Sequence, residues 1–219
     1  MLRESKGNMY EFITATWNAI KGKCPHDCSY CYMKRYPQKE MRLDEAEFKT
    51  DLGSGNFIFV GSSIDMFANE IPELWIIKTL NHCRKFNNEY FLQTKNPKRI
   101  WDFLIHDMPD NFSICTTLES NRDYPKIRNN APDILKRVYG MQLFKHTKKY
   151  ITIEPIMDFD LNMFINKIYD CEPIQVNIGS DSGNNKLPEP NPEKVKTLVN
   201  ELQKFTKVHL KKNLQRLMI

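Results

Sequence analysis

The sequence contains no run of about 18 consecutive apolar residues, the length that a membrane-spanning helix needs. Its N-terminal residues also lack the apolar core of a signal peptide, and we therefore expect a cytoplasmic protein. There is no internal repeat, no low-complexity tract and no linker long enough to separate two domains. A chain of 219 residues with 41% hydrophobic content can bury one core, and we expect a single domain over 1–219.

The sequence has little surplus charge. Lysine and arginine number 32 and aspartate and glutamate 27, which gives a formal net charge of +5. A positive surface attracts nucleic acid, but a surplus this small permits such a partner without requiring one. Charge alone therefore leaves the partner open.

The six cysteines do not form the pattern of a disulfide framework. Cys24, Cys28 and Cys31 lie in one tight loop. In a reducing compartment such a cluster is typical of a metal site. The scattered cysteines are predicted to be small buried hydrophobic groups; they are Cys83, Cys115 and Cys171.

The spacing C-x3-C-x2-C allows three thiolates to bind one metal centre and leaves the fourth ligand position to another group. Zinc is one reading, with His26 or a distant residue as the fourth ligand. Against zinc, the sequence has no second C-x2-C pair and no H-x3-H pair. His26 also lies inside the loop, where simultaneous ligation would be cramped.

Short apolar or β-branched runs alternate with segments of helical character, which is typical of βα units around a parallel sheet. Strands are predicted over 11–16, 57–61, 90–94, 113–117, 150–156 and 174–178, with a weaker seventh over 207–210. Helices are predicted over 71–86, 97–106, 132–145, 161–169 and 192–205, and a further helix over 31–42 remains open. The predicted fold class is α/β, a partial (β/α)6-type TIM-like barrel with parallel strands and outer helices. Ligands of such barrels bind at the C-terminal ends of the strands.

The cysteine loop, with Tyr30 before its last cysteine, resembles the signature of the radical S-adenosylmethionine superfamily. The resemblance implies that Cys24, Cys28 and Cys31 hold three irons of a 4Fe-4S cluster. It also implies that the amine and carboxylate of S-adenosylmethionine chelate the fourth iron, with Tyr30 near the adenine. A flavodoxin or ferredoxin-type electron donor follows from the same resemblance.

The doubled tyrosine of Cys28-Ser29-Tyr30-Cys31-Tyr32 resembles that of the spore photoproduct lyase group within this superfamily. Further segments resemble an uncharacterised phage-associated radical S-adenosylmethionine family. They are Phe59-Val60-Gly61-Ser62-Ser63-Ile64-Asp65-Met66-Phe67, Gln93-Thr94-Lys95-Asn96-Pro97, Thr117-Leu118-Glu119-Ser120, Ile153-Glu154-Pro155 and Asn177-Ile178-Gly179-Ser180-Asp181-Ser182-Gly183. Two features depart from that family: the first two cysteines are closer together, and its Gly-Gly-Glu is replaced by Gly61-Ser62-Ser63-Ile64-Asp65.

The resemblance assigns cofactor contacts to polar residues at the strand ends. Ser63 and Asp65 would meet the ammonium group, and Lys95 would meet the carboxylate as a point charge. Glu119 and Ser120 would hydrogen-bond the ribose hydroxyls. Each has a structural alternative: Asp65 as a helix cap, Lys95 as a solvent-facing cation and Glu119 as a surface carboxylate.

Several other residues have more than one possible role. Glu154 ends an apolar strand and contacts substrate, contacts cofactor or pairs with Lys95. The loop over 179–183 is either a binding loop or an ordinary connection. A basic C-terminal stretch is more often a solvated face than a nucleic-acid site, and three aromatic residues near the cysteine loop either pack against neighbours, the favoured interpretation, or stack on a base. The first set is Lys207, Lys211, Lys212 and Arg216, and the second is Trp17, Tyr32 and Tyr36.

The resemblance implies an enzyme that cleaves S-adenosylmethionine reductively and abstracts hydrogen from a substrate with the resulting 5′-deoxyadenosyl radical. A nucleic-acid base or nucleotide is the first expectation for that substrate, and a peptide or small metabolite is the next. The alternative from a different class is a non-enzymatic iron-sulfur or zinc protein that binds nucleic acid or a protein partner.

Overall fold

The structure is a computed structural model that describes residues 2–5, 10–125, 127 and 129–219. Within these residues, no helix is both long and apolar enough to cross a membrane. The strands are β1 Arg3–Glu4, β2 Ala15–Trp17, β3 Ile20–Lys21, β4 Arg42–Leu43, β5 Phe57–Val60, β6 Glu89–Gln93, β7 Phe112–Thr117, β8 Lys148–Ile153, β9 Gln175–Ile178 and β10 Lys207–Leu210. The α-helices are α1 Glu73–Cys83, α2 Pro97–Arg99, α3 Ile134–Gln142, α4 Leu161–Asp170 and α5 Pro192–Leu202.

One sheet, in the order β1-β2-β5-β6-β7-β8-β9-β10, organises the described chain. All neighbouring strands from β2 to β10 run parallel, and only β1 lies antiparallel, on the outer side of β2. The edge strands β1 and β10 do not pair with each other, so the sheet is open. This arrangement confirms the predicted partial TIM-like barrel. The small antiparallel hairpin of β3 and β4, in the first crossover, was not predicted.

The sheet separates two apolar clusters because successive strand residues point to opposite faces. On one face, Ile58, Ile114 and Ile151 pack in the main core that also includes buried helix residues. On the other face, Phe59 and Phe91 pack with aromatic residues from the N-terminal segment. The barrel interior is thus partly filled by aromatic side chains.

The helices follow the local signals of the sequence. In α5, Pro192 occupies the first turn and the Asn191 side chain accepts a hydrogen bond from Lys194 N at 2.9 Å. The helix buries Val195, Leu198, Val199 and Leu202, the spacing of one helical face. Such helices cover the outer face of the sheet.

The structure also shortens or shifts most predicted boundaries by a few residues, for example the strand over 150–156 to Lys148–Ile153 and the helix over 71–86 to Glu73–Cys83, and three segments differ more. The first strand is Ala15–Trp17 and not 11–16, because Tyr10 and Ile13 are buried inside the barrel against Phe59 and Phe91 instead of pairing in the sheet. The segment over 31–42 has only a short 3-10 helix at Tyr32–Arg35. The segment predicted as one helix over 97–106 is α2 followed by a π-helical turn at Ile100–Leu104 and a 3-10 turn at Ile105–Asp107.

Candidate functional site

A cavity of about 640 Å³ lies at the C-terminal ends of the parallel strands. All three cysteines of the predicted metal loop line it, as do Tyr30, Ser63, Asp65 and Lys95. Residues from the later strand ends complete the wall: Thr117, Thr152, Glu154, Ser182 and Lys211. The sequence prediction that the strand ends meet at one site therefore agrees with the cavity.

The three cysteines of the loop are free thiols. Burial, followed by the charge of Asp65, raises the pKa of Cys24 to about 11. Burial also raises the pKa of Cys28, although the nearby ammonium of Lys95 opposes this shift. Metal binding at these two residues must therefore displace protons.

The donor set of the loop suits the predicted cluster. Among the described residues, no group of three or more His, Cys, Asp or Glu side chains is placed to hold a single metal ion. An iron-sulfur cluster takes each cysteine sulfur on a different iron. Three thiols on one cavity offer one sulfur ligand to each of three irons.

Asp65 fastens the cysteine loop to the ends of β5 and β6. Its carboxylate accepts hydrogen bonds from His26 Nε2 at 2.9 Å, from Thr94 Oγ1 at 3.1 Å and from Lys95 N at 2.7 Å. Burial alone would raise the pKa of Asp65, but these hydrogen bonds and the charge of His26 hold it below its ordinary value. Asp65 does not cap α1, which begins at Glu73. His26 Nε2 faces Asp65.

Asn18, which follows β2, was missed by the sequence analysis. Its Oδ1 accepts hydrogen bonds from Ser63 N at 3.2 Å and Ser63 Oγ at 3.3 Å, and its Nδ2 donates to Ser62 Oγ at 3.1 Å. Asn18 therefore fixes the turn after β5, which Gly61 enters with a φ of 78°. The signal was present, because Asn18 is a polar residue directly after an apolar strand.

Glu119 lies at the centre of a buried charge network after β7. Its carboxylate accepts a short hydrogen bond from the Tyr30 hydroxyl and forms ion pairs with Arg137 Nη1 at 2.8 Å and Lys95 Nζ at 3.3 Å. Burial would raise the pKa of Glu119, but Arg137 and Lys95 lower it to about 2. Burial would likewise lower the pKa of Lys95, but the charge of Glu119 raises it above its ordinary value. Both groups are therefore ionised at neutral pH.

Glu119 and Ser120 do not line the cavity. Glu119 is only 3% exposed and is not a surface carboxylate. Ser120 Oγ donates to Asp158 O at 2.5 Å and accepts from Arg122 N at 3.0 Å. The predicted ribose contacts of these two residues thus remain a prediction, and the structure places both residues behind the cavity wall.

Arg137 is the second residue that the sequence analysis missed. It is 2% exposed on α3 and also donates from Nη1 to Thr117 O at 2.9 Å. A visible signal was its place on the apolar face of the helix, next to Val138 and three residues after Ile134. The segment before α3 also contacts the cysteine loop, because Asn130 N donates a hydrogen bond to His26 O at 2.7 Å.

Glu154 forms an ion pair with Lys211, whereas Lys95 pairs with Glu119. Of the alternatives for Glu154, the predicted pairing with Lys95 is therefore wrong. The distance from Lys211 Nζ to Glu154 Oε2 is 2.5 Å, and Asn213 Nδ2 donates to Glu154 Oε1 at 2.8 Å. Lys211 is 7% exposed, so the prediction of a solvated C-terminal face is wrong at this residue. Gly179 makes room for Glu154, because a Cβ on Gly179 would lie 2.6 Å from Glu154 Oε1.

Two tyrosines lie at the cavity mouth, Tyr32 at the start of the short 3-10 helix after the cysteine loop and Tyr36 directly after its end. Tyr32 and Tyr36 both line the cavity and are 47% and 60% exposed. Packing is confirmed for Trp17, which is fully buried, whereas the exposure of Tyr32 and Tyr36 corrects the preference for packing and leaves base stacking as the alternative. Arg35, between them, donates a short hydrogen bond to Ser182 O.

The open parallel sheet, with a three-cysteine loop after its first parallel strand, has the architecture of a partial barrel. The solved structures that it resembles include several of spore photoproduct lyase. A cysteine-to-alanine mutant with dinucleoside spore photoproduct superposes with a TM-score of 0.68 at 10% identity, over 93% of this chain and 78% of that one. A double mutant with bound AdoMet and the same dinucleoside gives 0.68 at 9% identity, with the same coverage.

A third structure, spore photoproduct lyase complexed with dinucleoside spore photoproduct, gives a TM-score of 0.64 at 8% identity, again over 93% and 78% of the two chains. At such identities the likeness concerns the fold. No protein-family model and no curated protein sequence matches the chain. The predicted resemblance to the spore photoproduct lyase group is thus confirmed in the fold, and the phage-associated relationship stays a prediction.

Proposed function

We propose that the protein is a radical S-adenosylmethionine enzyme in which Cys24, Cys28 and Cys31 hold a 4Fe-4S cluster. The observation that carries this proposal is the joint position of three free thiols, Asp65 and Lys95 on one cavity in a partial barrel. When bound, the reduced cluster and S-adenosylmethionine supply a 5′-deoxyadenosyl radical for hydrogen abstraction. A flavodoxin or ferredoxin-type protein is the proposed electron donor.

Residues of this chain have distinct tasks in binding the cofactor. Lys95 would present a charged ammonium to the methionine carboxylate, and Asp65 with Ser63 would meet the methionine amine; all three residues line the cavity. Tyr30 is the proposed adenine wall, held in place by Glu119. Glu119 and Ser120 lie behind the wall and act on the ribose side by positioning their neighbours.

Anaerobic reconstitution tests the proposal directly. The reconstituted protein, mixed with dithionite and S-adenosylmethionine, is expected to form 5′-deoxyadenosine and methionine, measured by liquid chromatography and mass spectrometry. Iron and sulfide analysis of the same sample establishes that a cluster is loaded. A loaded protein that forms no 5′-deoxyadenosine would contradict the enzymatic proposal and favour a binding protein.

The Lys95→Met variant tests the cofactor site. Hydrogen bonds to charged groups contribute about 1.5–3 kcal/mol, so the affinity for S-adenosylmethionine is expected to fall about 10- to 100-fold. Iron content should remain near that of the unaltered protein, because Lys95 is not a ligand. Anaerobic equilibrium dialysis measures the affinity, and Lys98→Met, at an exposed position on α2, is the control. Equal affinity in the two variants would refute the role of Lys95.

A nucleic-acid base or nucleotide is the proposed substrate. Two exposed tyrosines at the cavity mouth suit base stacking, and Arg35 between them suits a phosphate. Lys23 and Lys34 share the single carboxylate of Asp27 at 3.4 and 3.0 Å, which leaves a further net positive charge nearby. The matched structures of spore photoproduct lyase with a dinucleoside support the same substrate class.

The Tyr36→Ala variant is expected to bind single-stranded oligonucleotides about tenfold more weakly, since stacking on an aromatic ring contributes about 1–3 kcal/mol per base. Fluorescence anisotropy with a labelled oligonucleotide measures this affinity on the full chain. Tyr139→Ala, at a position on α3 that is 52% exposed, is the matched control. If both variants bind like the unaltered protein, the mouth is not a stacking platform.

A further inference from the structure

The cavity has a wall that the proposed cofactor contacts do not use. The cysteine loop and the ends of β5 and β6 supply the cofactor contacts, whereas Thr152, Glu154 and Lys211 lie at the ends of β8 and β10. Thr152 and Glu154 are two residues apart at the end of one strand, where alternate side chains share a face. The later strand ends therefore form a separate polar surface in the same cavity.

Thr152 is the first sign of a ligand at this wall. The residue is 2% exposed and its side chain lines the cavity. Its Oγ1 lies near the Tyr10 hydroxyl but forms no hydrogen bond of good geometry among the described residues. A buried hydroxyl without a partner costs about 1–3 kcal/mol, so such groups in a cavity are usually satisfied by a ligand or water. The adjoining residue of β7 in register is Thr117, whose Oγ1 accepts from Gln93 Nε2 at 3.2 Å.

The charge at this wall is already balanced. Glu154 neutralises Lys211 at 2.5 Å, and Asn213 donates a further hydrogen bond to the same carboxylate. The Lys211 ammonium also lies 4.7 Å from the centroid of the Tyr10 ring. A phosphate or carboxylate ligand would need an uncompensated cation, whereas a neutral group with adjoining donor and acceptor atoms would match the pair.

The aromatic residues beside the wall restrict the shape of the ligand. Tyr10 and Phe59 line the cavity, and their ring centroids are 6.2 Å apart. The Tyr10 hydroxyl is held by Gln93 Oε1 at 2.8 Å, which fixes the ring. Flat aromatic surfaces favour a planar ligand over a puckered sugar.

We propose that Thr152, Glu154 and Lys211 form the substrate subsite and bind the edge of a neutral planar lactam, such as that of a nucleobase. Lys211 donates to the lactam carbonyl oxygen, Glu154 accepts from the lactam N–H, and Thr152 donates to or accepts from a neighbouring polar atom. The subsite rests on the proposed function, because it assigns the substrate of that same cavity.

Uridine, whose base has a lactam edge, and 3-methyluridine, in which the N–H is replaced by N-methyl, test the subsite. Binding to the full chain after anaerobic reconstitution is measured by saturation-transfer NMR and calorimetry. Uridine is expected to bind, because its N–H keeps the hydrogen bond to the charged carboxylate of Glu154. 3-Methyluridine loses that hydrogen bond and is expected to bind at least about tenfold more weakly. Absence of uridine binding, or equal binding of the two probes, would overturn the proposal.

The Thr152→Val variant keeps the side-chain shape and removes the hydroxyl, and it is expected to weaken uridine binding about tenfold. Thr197→Val, at an exposed position on α5, should bind uridine like the unaltered protein. Unchanged binding in Thr152→Val would overturn the role of Thr152. Formation of 5′-deoxyadenosine without added substrate, measured on the same samples, reports on the proposed function separately, so the two can fail independently.

Discussion

Replacing Cys28 by alanine is expected to abolish both bound iron-sulfur cluster and 5′-deoxyadenosine formation. Cys28 is the most buried of the three cysteines in the loop, and its thiol lies near the Lys95 ammonium, which stabilises a thiolate. Three thiolates and one open position are the minimum set for a site-differentiated cluster. The expected loss of activity is therefore complete within the detection limit.

Iron content, the visible absorption of the cluster and 5′-deoxyadenosine are the measurements for this variant. Cys83→Ala is the matched control, because Cys83 is a fully buried thiol on α1, in the main core and away from the cavity. The control should keep its cluster. A brown Cys28→Ala protein with undiminished iron would show that the loop does not hold the cluster.

Replacing Arg137 by methionine is expected to have the largest effect among substitutions outside the cysteine loop. The change leaves the buried Glu119 carboxylate with Lys95 and the Tyr30 hydroxyl only. Breaking a buried ion pair by removing one partner costs about 3–5 kcal/mol. The free energy of unfolding should fall by about this amount. S-adenosylmethionine should bind more weakly, because Glu119, the common partner of Tyr30 and Lys95, loses the guanidinium that holds it in place.

Urea unfolding of the cluster-free chain and anaerobic dialysis with S-adenosylmethionine measure the two effects of Arg137→Met. Lys136→Met is the control, since that side chain is 72% exposed on the same helix. Combining Glu119→Gln with Arg137→Met should cost less stability than the sum of the two single changes, because the two residues form one ion pair. An Arg137→Met protein as stable as the control would contradict the buried network.

Acid should narrow the difference in stability between Arg137→Met and the unaltered protein. The native network lowers the pKa of Glu119 to about 2, below the roughly 4.3 of an unfolded glutamate. Its stabilising contribution is therefore complete above the unfolded value and is lost as the pH falls toward the folded one. In the variant, burial favours the protonated acid, so its penalty decreases as the pH falls. A gap that stays constant from neutral pH to about pH 3 would assign the effect of Arg137 to packing.

Much of the fold was predictable because its signals are local. Apolar strand residues, proline in first helical turns and the asparagine cap of α5 specify elements within a few positions. The prediction was wrong for Ile13, which lies in the predicted strand over 11–16 but is buried inside the barrel beside Tyr10. A strand that is buried in the sheet and a non-strand segment that is buried inside the barrel both produce a run of apolar residues. Only long-range packing distinguishes the two.

The part of the candidate site at the strand ends was also predictable from the sequence, whereas the part contributed by a helix was not. Polar residues after apolar strands identified Asp65, Lys95 and Glu154, since parallel strands bring their C-terminal ends to one edge. The same rule would have found Asn18. Arg137 comes from a helix, where a cation on the apolar face is a weaker signal that gains meaning only once its partner is known.

The sequence by itself determined the chemistry that is present: a three-thiol loop, a βα alternation and polar groups at the strand ends. Only the tertiary structure decided which of these groups face each other. It turned Glu119 away from the cavity toward Arg137, and it joined Glu154 to Lys211 across 57 positions of the chain. The physical reason is that residue type and periodicity are local properties, whereas the partner of a buried charge is set by the packing of elements that are distant in sequence.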